Sequence, residues 1–208
     1  MTMDPKTPSL DVSYPFTGRW LVQNSPADRV PSHGTTMFAS ALAIDFVPVD
    51  GTGRSAPYTV ASVFRSESPN IFPGFGQSVL APIDGIVVAT QQSAADHSAH
   101  RGLPSVRYAL SQRSRIGGSW TSAAGNHVLI ESSGIVVAIC HLQRDSIAVR
   151  NGQEVRIGDL LGRCGNSGNS TEPHVHLQAM DGREPASARA VRLSFSGNIP
   201  SNGTVVDV

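Results

Sequence analysis

Gly165-Asn166-Ser167-Gly168-Asn169-Ser170-Thr171-Glu172-Pro173-His174-Val175-His176-Leu177-Gln178-Ala179 is a polar turn that runs into a strand. Its first half holds glycine, asparagine and serine, which make tight turns with exposed backbone amides. From His174 onward, polar and apolar residues alternate. Side chains alternate faces along a strand, so His174, His176 and Gln178 share one face. Val175, Leu177 and Ala179 share the other, toward a core. Two imidazoles so spaced on the polar face of a strand bind metal or move protons. The plain alternative is a solvated strand edge with incidental histidines.

The segments just upstream supply neighbours for this strand. Residues 126–131 read as a strand, 132–134 as a turn and 135–142 as a strand apolar on both faces, hence covered on both. Simple alternation puts Ile135, Val137, Ile139 and His141 on one face. Residues 154–156 and 160–163 suggest two short strands. The two cysteines, Cys140 and Cys164, form no CxxC unit and are expected as free buried thiols.

Further toward the N-terminus, Trp20 to Gln23 reads as a first strand and His33 falls in a loop. Residues 41–47 read as a strand with Leu42, Ile44 and Phe46 toward a core and Asp45 on the opposite face. Residues 50–77 and 91–125 are long Gly-, Pro- and Ser-rich insertions, the kind of loop that forms a functional rim. A short strand is expected at 106–110. Between the insertions, 78–82 and 85–90 look like strands around a turn at 83–85. The expected organisation is a flexible N-terminal arm over 1–14, a single domain over 15–197 and a C-terminal tail over 198–208.

Composition narrows the class. Hydrophobic residues make up 39% of the 208, charged residues only 15%, with 20 Gly and 14 Pro. That is a loop-rich chain with a β bias and few or no helices. Lys+Arg and Asp+Glu are 16 each, so the zero net charge gives no basis for nucleic-acid binding or an anionic membrane surface. No apolar run is long enough to span a bilayer, and the first residues lack the basic and apolar regions of a signal peptide.

His33, Asp45, His141 and the pair His174/His176 stand on separate segments. Neutral imidazoles and a carboxylate suit zinc, and a catalytic zinc keeps three protein ligands with one position for water. Such an ion lowers the water's pKa to about 7. Two of the five groups are then left for proton transfer or charge stabilisation. Spacing alone does not say which of His174 and His176 is the ligand. The HExxH motif is absent, so no helix-borne glutamate base is offered.

These residues resemble the lysostaphin/LytM-type zinc metallopeptidases of peptidoglycan. The resemblance runs from about Pro15 to Gln178 and is carried by His33 with Ala43-Ile44-Asp45-Phe46, residues 79–87, Gly125-Asn126-His127-Val128, Cys140-His141-Leu142 and residues 165–178. It implies a mainly antiparallel β-sheet crossed by an open groove. It implies that His33, Asp45 and His176 bind Zn2+, with His141 and His174 as acid–base or charge-stabilising groups. It also implies a peptidoglycan peptide substrate, hydrolysed at a stem or cross-bridge bond outside the cytoplasm. The alternative is a non-hydrolytic zinc-binding module that holds wall peptides or activates another hydrolase. One departure stands out: the family's first motif places its His four residues before the Asp, whereas His33 and Asp45 are twelve apart. The loop between them must fold back.

The remaining candidates have quieter readings. His127 is expected behind the site or at the surface, His97 and His100 solvated, and Glu172, Arg144 and Asp145 as surface charges. Phe72, Phe75 and Trp120 are expected to pack under the insertions, with lining the groove as the alternative.

Overall fold

The structure is a computed structural model, and it describes residues 9–105 and 119–208. The strand expected at 106–110 lies outside the described residues.

A large, almost wholly antiparallel sheet organises the chain. Its strands are β1 (Ser9–Asp11), β2 (Arg19–Gln23), β3 (Ile44–Pro48), β5 (Gly85–Gln91), β6 (Asn126–Ser132), β7 (Ile135–Leu142), β8 (Glu154–Val155), β10 (Val175–Met180), β11 (Ala190–Ser194) and β12 (Val205–Asp207). The order is β12-β2-β3-β10-β7-β6-β5-β8, with β11 beside the end of β10 and β1 parallel to β11. β4 (Ser78–Leu80) and β9 (Leu160–Arg163) form a separate two-stranded sheet. The two segments around the turn at 83–85 are strands, each paired with a distant strand.

Helices are short. α1 (Val60–Phe64) and α2 (Trp120–Ala124) have five residues each. A 3₁₀ segment spans Met37–Leu42 and contains Phe38 and Ala39 at positive φ. The strand expected from residue 41 thus begins only at Ile44. The Ala43 amide still bonds the Ser40 carbonyl, so the chain leaves the turn just before β3.

One face of the sheet carries the main core. Trp20, Phe16, Phe46, Ile44, Val137, Ile139, Val175 and Leu177 are all buried there. Phe16 stacks on Trp20 at 4.2 Å between ring centroids and meets Phe46 edge-on at 5.0 Å. The other face holds a smaller cluster of Ala39, Ala124, Leu129, Val136, Ala138, Cys140 and Met180. β7 is covered on both sides, as its double-apolar sequence demands. Cys140 and Cys164 are buried free thiols.

Both ends of the chain pair with other strands. The arm foreseen over 1–14 is tied down from Ser9 onward: Leu10 pairs with Leu193, Val12 is buried, and Tyr14 stacks on Phe195 at 4.4 Å. The tail foreseen over 198–208 is held by β12 against β2, with Val206 opposite Trp20. Single-strand patterns too short to stand alone gain these bonds from distant partners. No helix among the described residues is long and apolar enough to cross a membrane.

Candidate metal centre

The centre forms where β3, β10 and β7 lie side by side. His176 pairs directly with Asp45 on β3 and with Cys140 on β7. Directly opposed residues share a face and lie about 5 Å apart, so the register alone brings the carboxylate to the imidazole. Asp45 Oδ1 is 2.9 Å from His176 Nδ1. Asp45 Oδ2 is 3.0 Å from His33 Nε2.

His33 reaches this point because its loop is pinned to the start of β3. The Ser32 amide donates to the Ala41 carbonyl at 3.0 Å, and Ser32 Oγ donates to the Ala43 carbonyl at 2.7 Å. With its proton spent there, Ser32 Oγ accepts from His33 Nδ1–H at 2.9 Å. His33 Nε2 then faces Asp45. The twelve-residue spacing is absorbed by the 3₁₀ segment between them.

His141 reaches the groove face through a bulge. In the β6–β7 pairing, Asn126 opposes Leu142 and Val128 opposes Ile139, with a register shift between. His141 sits at φ 63°. The extra residue on β7 breaks the alternation. Ile139 and Leu142 both point to the main core, Cys140 lies in the cluster on the opposite face, and His141 contacts the rings of His174 and His176. The expectation that His141 shares a face with Val137 and Ile139 is therefore corrected.

The outer histidines are oriented by backbone carbonyls of the polar turn. His141 Nδ1–H donates to the Ser167 carbonyl at 2.8 Å, and His174 Nδ1–H donates to the Glu172 carbonyl at 2.8 Å. In the neutral form of each ring the proton therefore sits on Nδ1 and Nε2 carries the lone pair. Their centroids lie 4.7 Å apart, and His174 Nε2 is 3.8 Å from Asp45 Oδ1. His174, His176 and Gln178 share the groove face as the strand reading requires.

The turn is rigidly built. Gly168 sits at φ +72° against Gly125 at φ +62°, and a Cβ on either would overlap the other's backbone. Asn126 Nδ2 donates to the Leu142 carbonyl at 3.0 Å, and Ser167 Oγ donates to the same carbonyl at 2.8 Å. The second insertion props the turn from outside. The Asn166 amide donates to Asp96 Oδ1 at 2.7 Å, and His97 Nε2 meets the Gly168 carbonyl at 2.9 Å. The His100 amide bonds the Thr171 carbonyl at 2.6 Å. His97 and His100, expected as solvated, are half-buried buttresses of this turn. Glu172 is likewise half-buried and accepts from Ser55 Oγ at 2.6 Å.

Other residues fall mostly where expected. His127 is buried behind the site, bonded to the Gly125 carbonyl at 2.8 Å. Phe72 and Phe75 pack under the insertions with Ala56 and Ala99. Trp120 instead packs on the groove face, edge-on to Phe38 at 6.1 Å and to His127 at 5.6 Å. Asn24 was given no role by its sequence, where an Asn after a strand reads as a turn. Its Nδ2 donates to Asp45 Oδ2 at 2.8 Å.

The electrostatics follow from this crowding. Burial alone would raise the Asp45 carboxyl, but the adjoining His33 and His174, with bonds from His176 and His33, hold it well below the usual range. Burial works against protonation of His176 too, yet the Asp45 and Gln178 oxygens at its two nitrogens push its pKa up. Burial, then repulsion from His174 and His176, pushes His141 well down. The ligand atoms of His33, Asp45 and His176 lie within 4.8 Å of one another. Two ring nitrogens and a carboxylate oxygen converging at that distance form a donor set for a cation, and its N/O composition fits zinc.

The resemblance to LytM-type peptidases extends to sequence matches over part of the chain. Residues 110–188 match Peptidase family M23. Among curated proteins, the peptidoglycan DD-endopeptidase ShyA of Vibrio cholerae is 31% identical over 77 residues, 37% of this chain and 18% of its own length. The peptidoglycan DD-endopeptidase ShyB of the same organism is 32% identical over 79 residues, 38% of this chain and 18% of its own. The chain thus matches under a fifth of the length of these relatives. Among solved structures, the catalytic domain of lysostaphin from Staphylococcus simulans aligns at a TM-score of 0.40 and 17% identity, covering 73% of this chain and 77% of that one. The LytM protein of Ruminococcus gnavus aligns at 0.40 and 20%, covering 72% and 42%.

Proposed function

We propose that the chain is a zinc-dependent endopeptidase that hydrolyses peptide bonds of peptidoglycan stem or cross-bridge peptides, and so acts outside the cytoplasm. The observation that carries this reading is the orientation of the imidazoles. His33 and His176 turn a nitrogen to Asp45, while His141 and His174 are held with Nε2 free beside the same point.

His33, Asp45 and His176 would hold the ion. Zinc bound there supplies Lewis-acid polarisation of a carbonyl and lowers the pKa of a water to about 7. The chain's own contribution is orientation and proton handling. The Ser167 and Glu172 carbonyls fix the Nδ1–H tautomers of His141 and His174, so each Nε2 is ready to accept a proton. Once protonated, each ring stabilises charge developing on the carbonyl oxygen and returns the proton to the leaving amine. The depressed pKa of His141 keeps it neutral for this task at neutral pH.

Mass spectrometry of muropeptides after incubation of purified walls with the protein tests the reading. New termini within stem or cross-bridge peptides are expected, and none with Asp45→Ala. Wall binding without cleavage by the zinc-loaded protein would favour the non-hydrolytic module instead.

A further inference from the structure

Gln178 is 1% exposed, on the groove face of β10, beside Ala138 and near Cys140 and Met180. An amide in such apolar company is costly to bury unless both its ends are bonded. Both are. Its Nε2 donates to the Phe38 carbonyl at 2.8 Å, and that bond fixes which end of the amide is oxygen. Its Oε1 therefore faces His176 Nε2, 3.0 Å away, and accepts a hydrogen bond from it. The Phe38 carbonyl is itself set by the turn in which Phe38 and Ala39 take φ of 56° and 59°. Left-handed backbone is unusual for either residue type.

We propose that Gln178 is a positioning residue: it holds the proton of His176 on Nε2 and leaves Nδ1 as the metal-binding atom. The inference rests on the zinc reading above. Gln178 touches neither substrate nor metal and acts through His176 alone. It also links this ligand to the turn that carries the chain from His33 to Asp45, so that all three ligands are set by one network. Partners of this kind fix ring orientation and ligand basicity.

Two substitutions separate this role from simple packing. Gln178→Met keeps the volume and removes the acceptor, whereas Gln178→Glu keeps the acceptor and loses the donor to Phe38. Zinc affinity is measured by chelator competition. The His176 Nε2–H is followed by 1H–15N NMR in the zinc-loaded protein. Gln178→Met is expected to bind zinc about 10–100-fold more weakly, with an Nε2–H that exchanges rapidly. Gln178→Glu is expected to stay within a few-fold of the parent with a protected Nε2–H, even where its thermal stability falls. Parental zinc affinity in Gln178→Met, or equal weakening in both variants, would overturn the role of Gln178 while leaving the metal centre standing. If Gln178→Met does not fold, the zinc-loaded parent still decides: a protected Nε2–H supports the role, and an unprotected one overturns it. A parent that takes up no zinc overturns both this inference and the reading beneath it.

Discussion

Each imidazole of the centre has one nitrogen tied to an oxygen and the other turned inward. His33 is tied by Ser32, His141 by Ser167, His174 by Glu172 and His176 by Gln178. Roles differ only in where the inward nitrogen lies relative to Asp45. His141→Ala and His174→Ala should therefore keep zinc and lose about 10²–10⁴-fold in turnover, the usual worth of acid–base groups. Metal analysis beside a peptidase assay checks this. Loss of metal in His174→Ala with retention in His176→Ala would show the pair reversed. His141 also makes a prediction about pH. Its folded-state pKa lies well below the ordinary imidazole value of about 6.5. As pH falls through about 6.5, the unfolded chain takes up a proton that the folded chain refuses, and stability drops. In the metal-free protein, His141→Asn should flatten this loss below about pH 6.5. Asn tolerates the left-handed backbone and can still donate to Ser167. Thermal melts across pH would show it, and an unchanged slope would contradict it.

At the scale of elements, the centre combines firm and soft supports. Asp45 and His176 are opposed on paired central strands, whereas His33 hangs from a loop. Groups on strands are held more firmly than groups on loops. His33→Ala should bind zinc more weakly and show little activity, with metal-free melting close to the parent's. Wild-type zinc affinity would place His33 outside the ligand set. A large loss of metal-free stability would make it a structural residue. The bulge on β7 is the other decisive element. A regular strand would send His141 into the core with Ile139, and only the extra residue returns it to the groove.

Across the whole molecule, the described parts of the two insertions are braced to each other. Arg101 is 5% exposed and bonds Glu67 through Nε and Nη2, at 2.8 and 2.9 Å. It also donates to the carbonyls of Ala56 and Pro57 and lies over Tyr58 and Phe72. Removing one partner of a buried pair costs about 3–5 kcal/mol. Here the cost should fall on the insertions, because the sheet ligands do not depend on this pair. Arg101→Leu should speed amide exchange over residues 56–67 and leave zinc affinity within a few-fold. Hydrogen-exchange mass spectrometry reads this directly, and loss of zinc affinity would mean that the rim also holds the metal centre.

Local alternation by itself determined the central strands and the face that carries His174, His176 and Gln178, because strand periodicity is a property of neighbouring residues. Residue chemistry by itself made His33, Asp45 and the histidines of β7 and β10 candidates for one centre. Only the tertiary structure decided how they meet. The opposition of His176 to Asp45 and Cys140 is a register between strands far apart in the chain. The placement of His141 depends on a one-residue bulge that no alternation reveals. Asn24 and Ser32 looked like ordinary turn residues, and His97 and His100 like solvated ones. Their roles come from hydrogen bonds to segments distant in sequence. The pairing of the chain ends with β11 and β2 has the same origin, since an edge strand is defined by the partner that accepts its backbone bonds.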